Sequence, residues 1–129
     1  MALQFGIVKP LPELKSTCLS SNKNQIQGAR AEAAVIFLLE KKSWVLEFQR
    51  CRTRYSEIDL IFSKKNRLTL IEVKKLDNNW RAFERIQTQQ LQGLQKNLIL
   101  FSYHFSDLKV SAYVSWVASD YKVSFVAVE

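Results

Sequence analysis

A chain of 129 residues that is 47% hydrophobic, with only three glycines and two prolines, holds material for one buried core and excludes disorder throughout. Nineteen Lys and Arg against twelve Asp and Glu give a net charge of +7, which suits a polyanionic partner such as nucleic acid. Cys18 and Cys51 stand in no Cys-x-x-Cys pattern, so no zinc site or disulfide framework is supported and a reduced, cytoplasmic setting is expected.

The longest wholly apolar run, Ala33 to Leu39, falls far short of the roughly 20 residues that span a bilayer, so no membrane partner is expected. Residues 1–23 read as a loosely ordered lead-in and 24–129 as a single domain. Asn24-Gln25-Ile26-Gln27 has the form of a capping box, which predicts a helix from near Gln25 to about Lys41 to Ser43. Within it Gly28, Glu32, Val35, Ile36 and Leu39 recur at helical spacing, so Glu32 falls on or beside the core-facing stripe. Its carboxylate either reaches water or a nearby arginine, or serves an active centre.

Three strands are predicted next, at Trp44 to Tyr55, Glu57 to Ser63 and Arg67 to Lys75, as an antiparallel meander. A polar connection through Asp77, Asn78 and Asn79 leads to a helix from Arg81 or Ala82 to His104, marked by Leu91, Leu94, Leu98, Phe101 and Phe105. Gln87 and Gln90 belong to its inward side. Trp80 and Phe83, near its start, either stack on unpaired bases or, the favoured reading, pack into the core. Two more strands, Val110 to Ala118 and Lys122 to Val128, flank a Ser119-Asp120 turn. The order α-β-β-β-α-β-β is that of an α/β sandwich with a central mixed sheet flanked by helices.

Strand alternation puts Glu57 and Asp59 on one face of the second strand, with Ile58, Leu60 and Phe62 on the other, and pairs Glu72 with Lys74 on the third. A hairpin through Ser63 to Arg67 converges these charges beside apolar neighbours, where two close carboxylates disfavour each other's ionisation. A magnesium or manganese ion resolves that conflict, with Asp59, Glu72 and the Val73 carbonyl as oxygen ligands. Lys74 is placed to hold an attacking water or to stabilise the transition state, with Glu57 as a further ligand or an arginine's partner. Solvated cross-strand pairs explain the same spacing without chemistry. Arg50, Arg52 and Arg54 alternate along one strand as a candidate phosphate track, joined by Lys64, Lys65, Arg67 and Lys75. A solvated face partly paired with Glu47 and Glu57 is the competing account of those arginines.

Three separated blocks carry a resemblance: Gly28-Ala29-Arg30-Ala31-Glu32-Ala33-Ala34, Arg52-Thr53-Arg54-Tyr55-Ser56-Glu57-Ile58-Asp59-Leu60-Ile61, and Ile71-Glu72-Val73-Lys74. In their order they resemble the YraN-like family of the PD-(D/E)XK restriction-endonuclease-like superfamily, related to archaeal Holliday-junction resolvases, over about Gln25 to Val128. The resemblance implies a restriction-endonuclease-like sandwich. It also implies that Asp59 and Glu72 are metal ligands, Lys74 the catalytic lysine and Glu32 the first helix's acidic contribution. The function so implied is a metal-dependent endonuclease acting on DNA, branched or structured DNA included, and often as a homodimer. A nucleic-acid-binding module on the same fold, without chemistry, is the alternative. Ala31 and Ser56 stand where the family usually has Gly before its Glu, and a basic residue common near Gln90 is absent.

Overall fold

In a computed structural model of the chain, residues 15–16, 23–76 and 88–129 are described. The alanine-rich stretch with no proline folds as helix α1 (Lys23–Lys41), starting two residues before the expected Gln25. Its end is a Schellman motif: Trp44 N–H donates to the Leu39 carbonyl and Ser43 N–H to the Glu40 carbonyl, both at 3.0 Å. That closure needs the left-handed region at Ser43, whose φ is 69°.

The sheet has six strands in sequence order: β1 (Lys15–Ser16), β2 (Val45–Arg52), β3 (Glu57–Lys64), β4 (Arg67–Lys75), β5 (Lys109–Val117) and β6 (Val123–Val128). All neighbours are antiparallel except β4 and β5, which run parallel. A parallel pair requires a crossover, and helix α2 (Thr88–His104) lies on it. This is the mixed α/β sandwich expected, with the antiparallel meander in place. Two-residue β1, paired with Cys51 and Arg52, is an edge addition that periodicity did not signal. The start of α2, the connection at 77–79, Trp80, Phe83 and Gln87 lie outside the described residues, as do the side chains of the capping box.

The sheet separates two cores. On the α1 side Val35, Leu39, Leu60, Phe62, Ile71 and Val117 pack together. On the other, Leu94 and Phe101 of α2, with Phe105 just beyond its end, meet Ile61, Leu70, Val114 and Trp116. The stripe of α2 therefore points as its period predicts. Buried Cys51 belongs to the α2 side, where loss of water, then the Glu57 charge, pushes its thiol up to about 12. It acts as a small apolar side chain.

One alternation does not hold. Ile58 packs with Cys51 and Ile61 on the α2 side, whereas Leu60 and Phe62 take the α1 side, so the three do not share a face. The cause lies at Arg50 and Asp59. The ladder pairs Gln49 with Leu60 and Cys51 with Ile58 and skips the position between, where Arg50 adopts a φ of 53°. A left-handed residue inside a strand turns the chain and resets which side the next residue faces. A bulge at Glu47, between Leu46 and Phe48, resets β2 once more.

Candidate active site

The slip at Arg50 and Asp59 falls where chemistry was expected. The β3–β4 ladder begins at Leu60 and Ile71, so on one side of that pair Glu57 to Asp59 part from Glu72 to Lys74. Backbone groups left unpaired by the parting need partners, and the Asp59 carboxylate supplies one by accepting the Val73 N–H at 2.8 Å. That bond fixes Asp59 against β4 and presents the Val73 carbonyl region beside it. A cleft of about 510 Å³ opens here, lined by Glu32, Glu57, Asp59, Glu72, Lys74 and Gln90, with Arg52, Ser56, Val73 and Leu94 completing the wall.

Four carboxyl groups in one cleft repel one another. Glu72 is pushed up to about 9, first by burial, then by hydrogen bonding to Asp59 and by its charge, with Lys74 opposing. Lys74 Nζ stands 3.8 Å from Glu72 Oε2. Without a cation, the Glu72 carboxyl thus keeps its proton at neutral pH, hydrogen-bonded to Asp59. Glu32, 8% exposed on α1, rises to about 7 through burial and then the Asp59 charge, while Arg50 pulls the other way from 3.6 Å. Glu32 thus pairs with an arginine, as one of its two readings had it, and also lines the cleft.

The arginines do not form one row. Arg50 is turned by its backbone toward Glu32 on the helix. Arg52 stays at the rim, 3.9 Å from Glu57, and is largely exposed. β2 ends there, so Arg54 lies in the following turn with its guanidinium 5.0 Å from the Tyr55 ring. Lys75 is exposed at the end of β4 and does not line the cleft. Lys64 and Arg67 pair across the β3–β4 hairpin at the far end of the strands, with Lys65 in its turn, so these three leave the proposed track.

Sequence reasoning missed the support under the Glu57 strand. Asn97 of α2 is fully buried, donates from Nδ2 to Ser56 Oγ at 2.9 Å and accepts from the Thr53 hydroxyl. Thr53 Oγ1 in turn accepts the Tyr55 N–H at 3.1 Å. An asparagine three residues after Leu94, at the edge of the apolar stripe, was the signal that could have found it. Ser56 has room for its side chain because Gly93 faces it: a Cβ on Gly93 would stand 2.8 Å from Ser56 Cβ. Gly93→Ala is therefore expected to destabilise by about 1–3 kcal/mol through overpacking, and Gly93→Ala combined with Ser56→Gly to recover little of it, because the double variant relieves the clash but leaves buried Asn97 Nδ2 without its Ser56 partner. Denaturant unfolding of the two variants checks this.

Asp59, Glu72 and the Val73 carbonyl are the oxygen donors here that could hold a hard divalent ion such as magnesium or manganese, with water completing the shell. Among the described residues no three acidic, histidine or cysteine side chains already form a cage. At Glu72 burial and the neighbouring Asp59 weigh against ionisation, a conflict that positive charge relieves.

Residues 31–125 match the model of the uncharacterised protein family UPF0102. A UPF0102 protein of Synechococcus sp. (strain CC9902) is 46% identical over 52 residues, 40% of this chain and 43% of that protein. One of Prochlorococcus marinus (strain MIT 9303) is 42% identical over 48 residues, 37% of this chain and 38% of that protein. The chain thus spans less than half the length of these two relatives in alignment. A UPF0102 protein of Campylobacter jejuni subsp. doylei is more distant, 23% identical over 107 residues, but is covered over 87% of its length. With the family model covering most of the chain, the chain belongs to UPF0102, the YraN-like family of PD-(D/E)XK nuclease-like proteins.

Proposed function

We propose that this protein is a magnesium- or manganese-dependent endonuclease that hydrolyses phosphodiester bonds in DNA, branched or otherwise structured DNA being the preferred substrate class. The observation that carries the reading is the meeting of Glu32, Asp59, Glu72 and Lys74 in one cleft from three separate elements. Solvated cross-strand pairs would leave Glu72 in water, whereas it is largely buried beside a second carboxylate.

Asp59, Glu72 and the Val73 carbonyl would hold the ion, which when bound neutralises phosphate charge and makes water more acidic. Asp59 is already oriented for this by the Val73 N–H. Lys74, on the same strand as Glu72, holds the attacking water and offsets charge gathering on the phosphate. Glu32, titrating near neutrality, is tuned to take a proton from that water, and Arg50 keeps its carboxylate in place. Arg52 at the rim meets the neighbouring phosphates, so binding should weaken with salt.

The test incubates the purified protein with single-stranded, duplex, flap and four-way-junction DNA, with magnesium, manganese or chelator. Cleavage is expected with either metal and none with chelator, and Asp59→Ala should reduce it by at least about 10²-fold. Undiminished cleavage by Asp59→Ala would sink the mechanism. Salt-sensitive binding of these DNAs with no cleavage under any metal would instead establish the non-catalytic module. Sedimentation of the same preparation tests the proposed homodimer.

A further inference from the structure

Arg67 of the hairpin, excluded from the cleft, stands at a second concavity. A groove of about 470 Å³ lies on the α1 side of the sheet, between the end of α1 and the first halves of β4 and β5. Its size is that of a small-molecule site. Its floor is a ladder of three pairs in parallel register: Arg67 beside Lys109, Thr69 beside Ser111, and Ile71 beside Tyr113. Every second residue of a strand faces the same way, so one face runs from cations through hydroxyls to an apolar and aromatic end.

The charged end is out of balance. Like charges directly opposite on neighbouring strands repel, yet neither Arg67 nor Lys109 has an ion-pair partner among the described residues, and no Asp or Glu is among the groove's described lining. An anion between them removes the conflict. In the middle, the Thr69 and Ser111 hydroxyls bond each other at 3.0 Å, which leaves one O–H free to donate. At the inner end Phe125 meets Tyr113 edge-on at 6.2 Å, and Trp44 forms the wall from the end of the helix. The helix C-terminus is itself negative in character. Lys64 counters it, donating to the Lys42 carbonyl at 2.7 Å while lying 5.9 Å from the Trp44 ring. An anion therefore belongs at Arg67 and Lys109, away from the helix end.

We infer that this groove binds a nucleoside monophosphate unit, with its phosphate at Arg67 and Lys109, its sugar against Thr69 and Ser111, and its base among Tyr113, Phe125 and Trp44. The span from Arg67 to Ile71 is four residues, about 13 Å along a strand, which suits one nucleotide and not a longer ligand. The unit is either a free nucleotide or the phosphorylated end of a strand. The groove is separate from the acidic cleft, so the inference stands without the nuclease reading.

Titration calorimetry of the full chain with AMP, adenosine and inorganic phosphate tests it. AMP is expected to bind with a dissociation constant of order 0.1–1 mM, at least about tenfold tighter than either adenosine or phosphate alone. Arg67→Gln and Lys109→Gln, both at exposed strand starts, should each weaken AMP by about tenfold with unchanged thermal unfolding. Asp59→Ala should leave AMP affinity at the wild-type value. Competition by 5′-phosphorylated but not 5′-hydroxyl oligonucleotide assigns the unit to a strand end, and competition by neither assigns it to the free nucleotide. Failure of AMP to bind, phosphate binding as tightly as AMP, or AMP affinity that falls in Asp59→Ala and not in Arg67→Gln would each overturn the assignment.

Discussion

Lys74→Ala is expected to lose cleavage by about 10²–10³-fold while keeping the wild-type fold and DNA affinity. The side chain lines the open cleft and belongs to neither core, so its removal leaves no core cavity, and its ammonium is the group 3.8 Å from Glu72. Two effects combine in the loss. The charge that would steady the transition state is gone, and so is an influence that lowers the Glu72 carboxyl from an already raised value. Loss of the second effect makes Glu72 harder to ionise, so the variant should also need more metal or a higher pH for its residual activity. Lys74→Arg is expected to recover the metal response but little of the rate, because a planar fork cannot place one donor where an ammonium stood. Single-turnover cleavage of the preferred DNA across metal concentration and pH separates the two effects. Wild-type rates in Lys74→Ala would remove this residue from the mechanism.

Apart from β1, the elements were legible because each has a strong local period. The β4 bounds and the end of α2 at His104 coincide with the sequence reading, since hairpin and apolar stripe both leave sharp marks. Glu32 was legible for the same reason, an acid in an apolar helical stripe. The slip at Arg50 and Asp59 was not. A residue other than glycine that enters the left-handed region does so under tertiary constraint, and nothing in the letters around Arg50 announces it. Reading strict alternation through that point gave Ile58 the wrong side and gave the three arginines a common row. The same slip frees Asp59 from the ladder, so the least predictable backbone in the chain shapes the cleft. The hairpin cations were misassigned for a simpler cause: alternation tells which face a residue takes, and only strand length tells which end.

Glu72→Gln is expected to raise the thermal stability of the metal-free protein at pH 8 while removing its response to magnesium. Burial and Asp59 hold the Glu72 carboxyl up to about 9, and Glu32 is held up to about 7, from an ordinary 4.5. Between 4.5 and those values the native state keeps protons that the unfolded chain has released, so stability falls as pH rises through that window. For Glu32 the fall is complete just above pH 7, and for Glu72 it continues to about pH 9. At about 1.4 kcal/mol per unit, Glu32 alone corresponds to roughly 3 kcal/mol before relaxation and water entry reduce it. Glutamine is the neutral acid's near-isostere and donates to Asp59 as the protonated carboxyl does, so Glu72→Gln removes the cost without opening a cavity. Its melting temperature at pH 8 should exceed wild type by about 5 °C or more, and the two should converge toward pH 4.5. Magnesium reverses the order: wild type gains stability by mass action, more at pH 8 than at pH 5 because its ligands must be ionised, and the variant gains little. Melting curves at pH 4.5, 6 and 8, with magnesium and with chelator, read all of this at once. A wild-type stability that does not fall with rising pH, or a variant that melts below wild type at pH 8 without metal, would show that the cleft carboxylates are not held in the conflict from which the metal site was inferred.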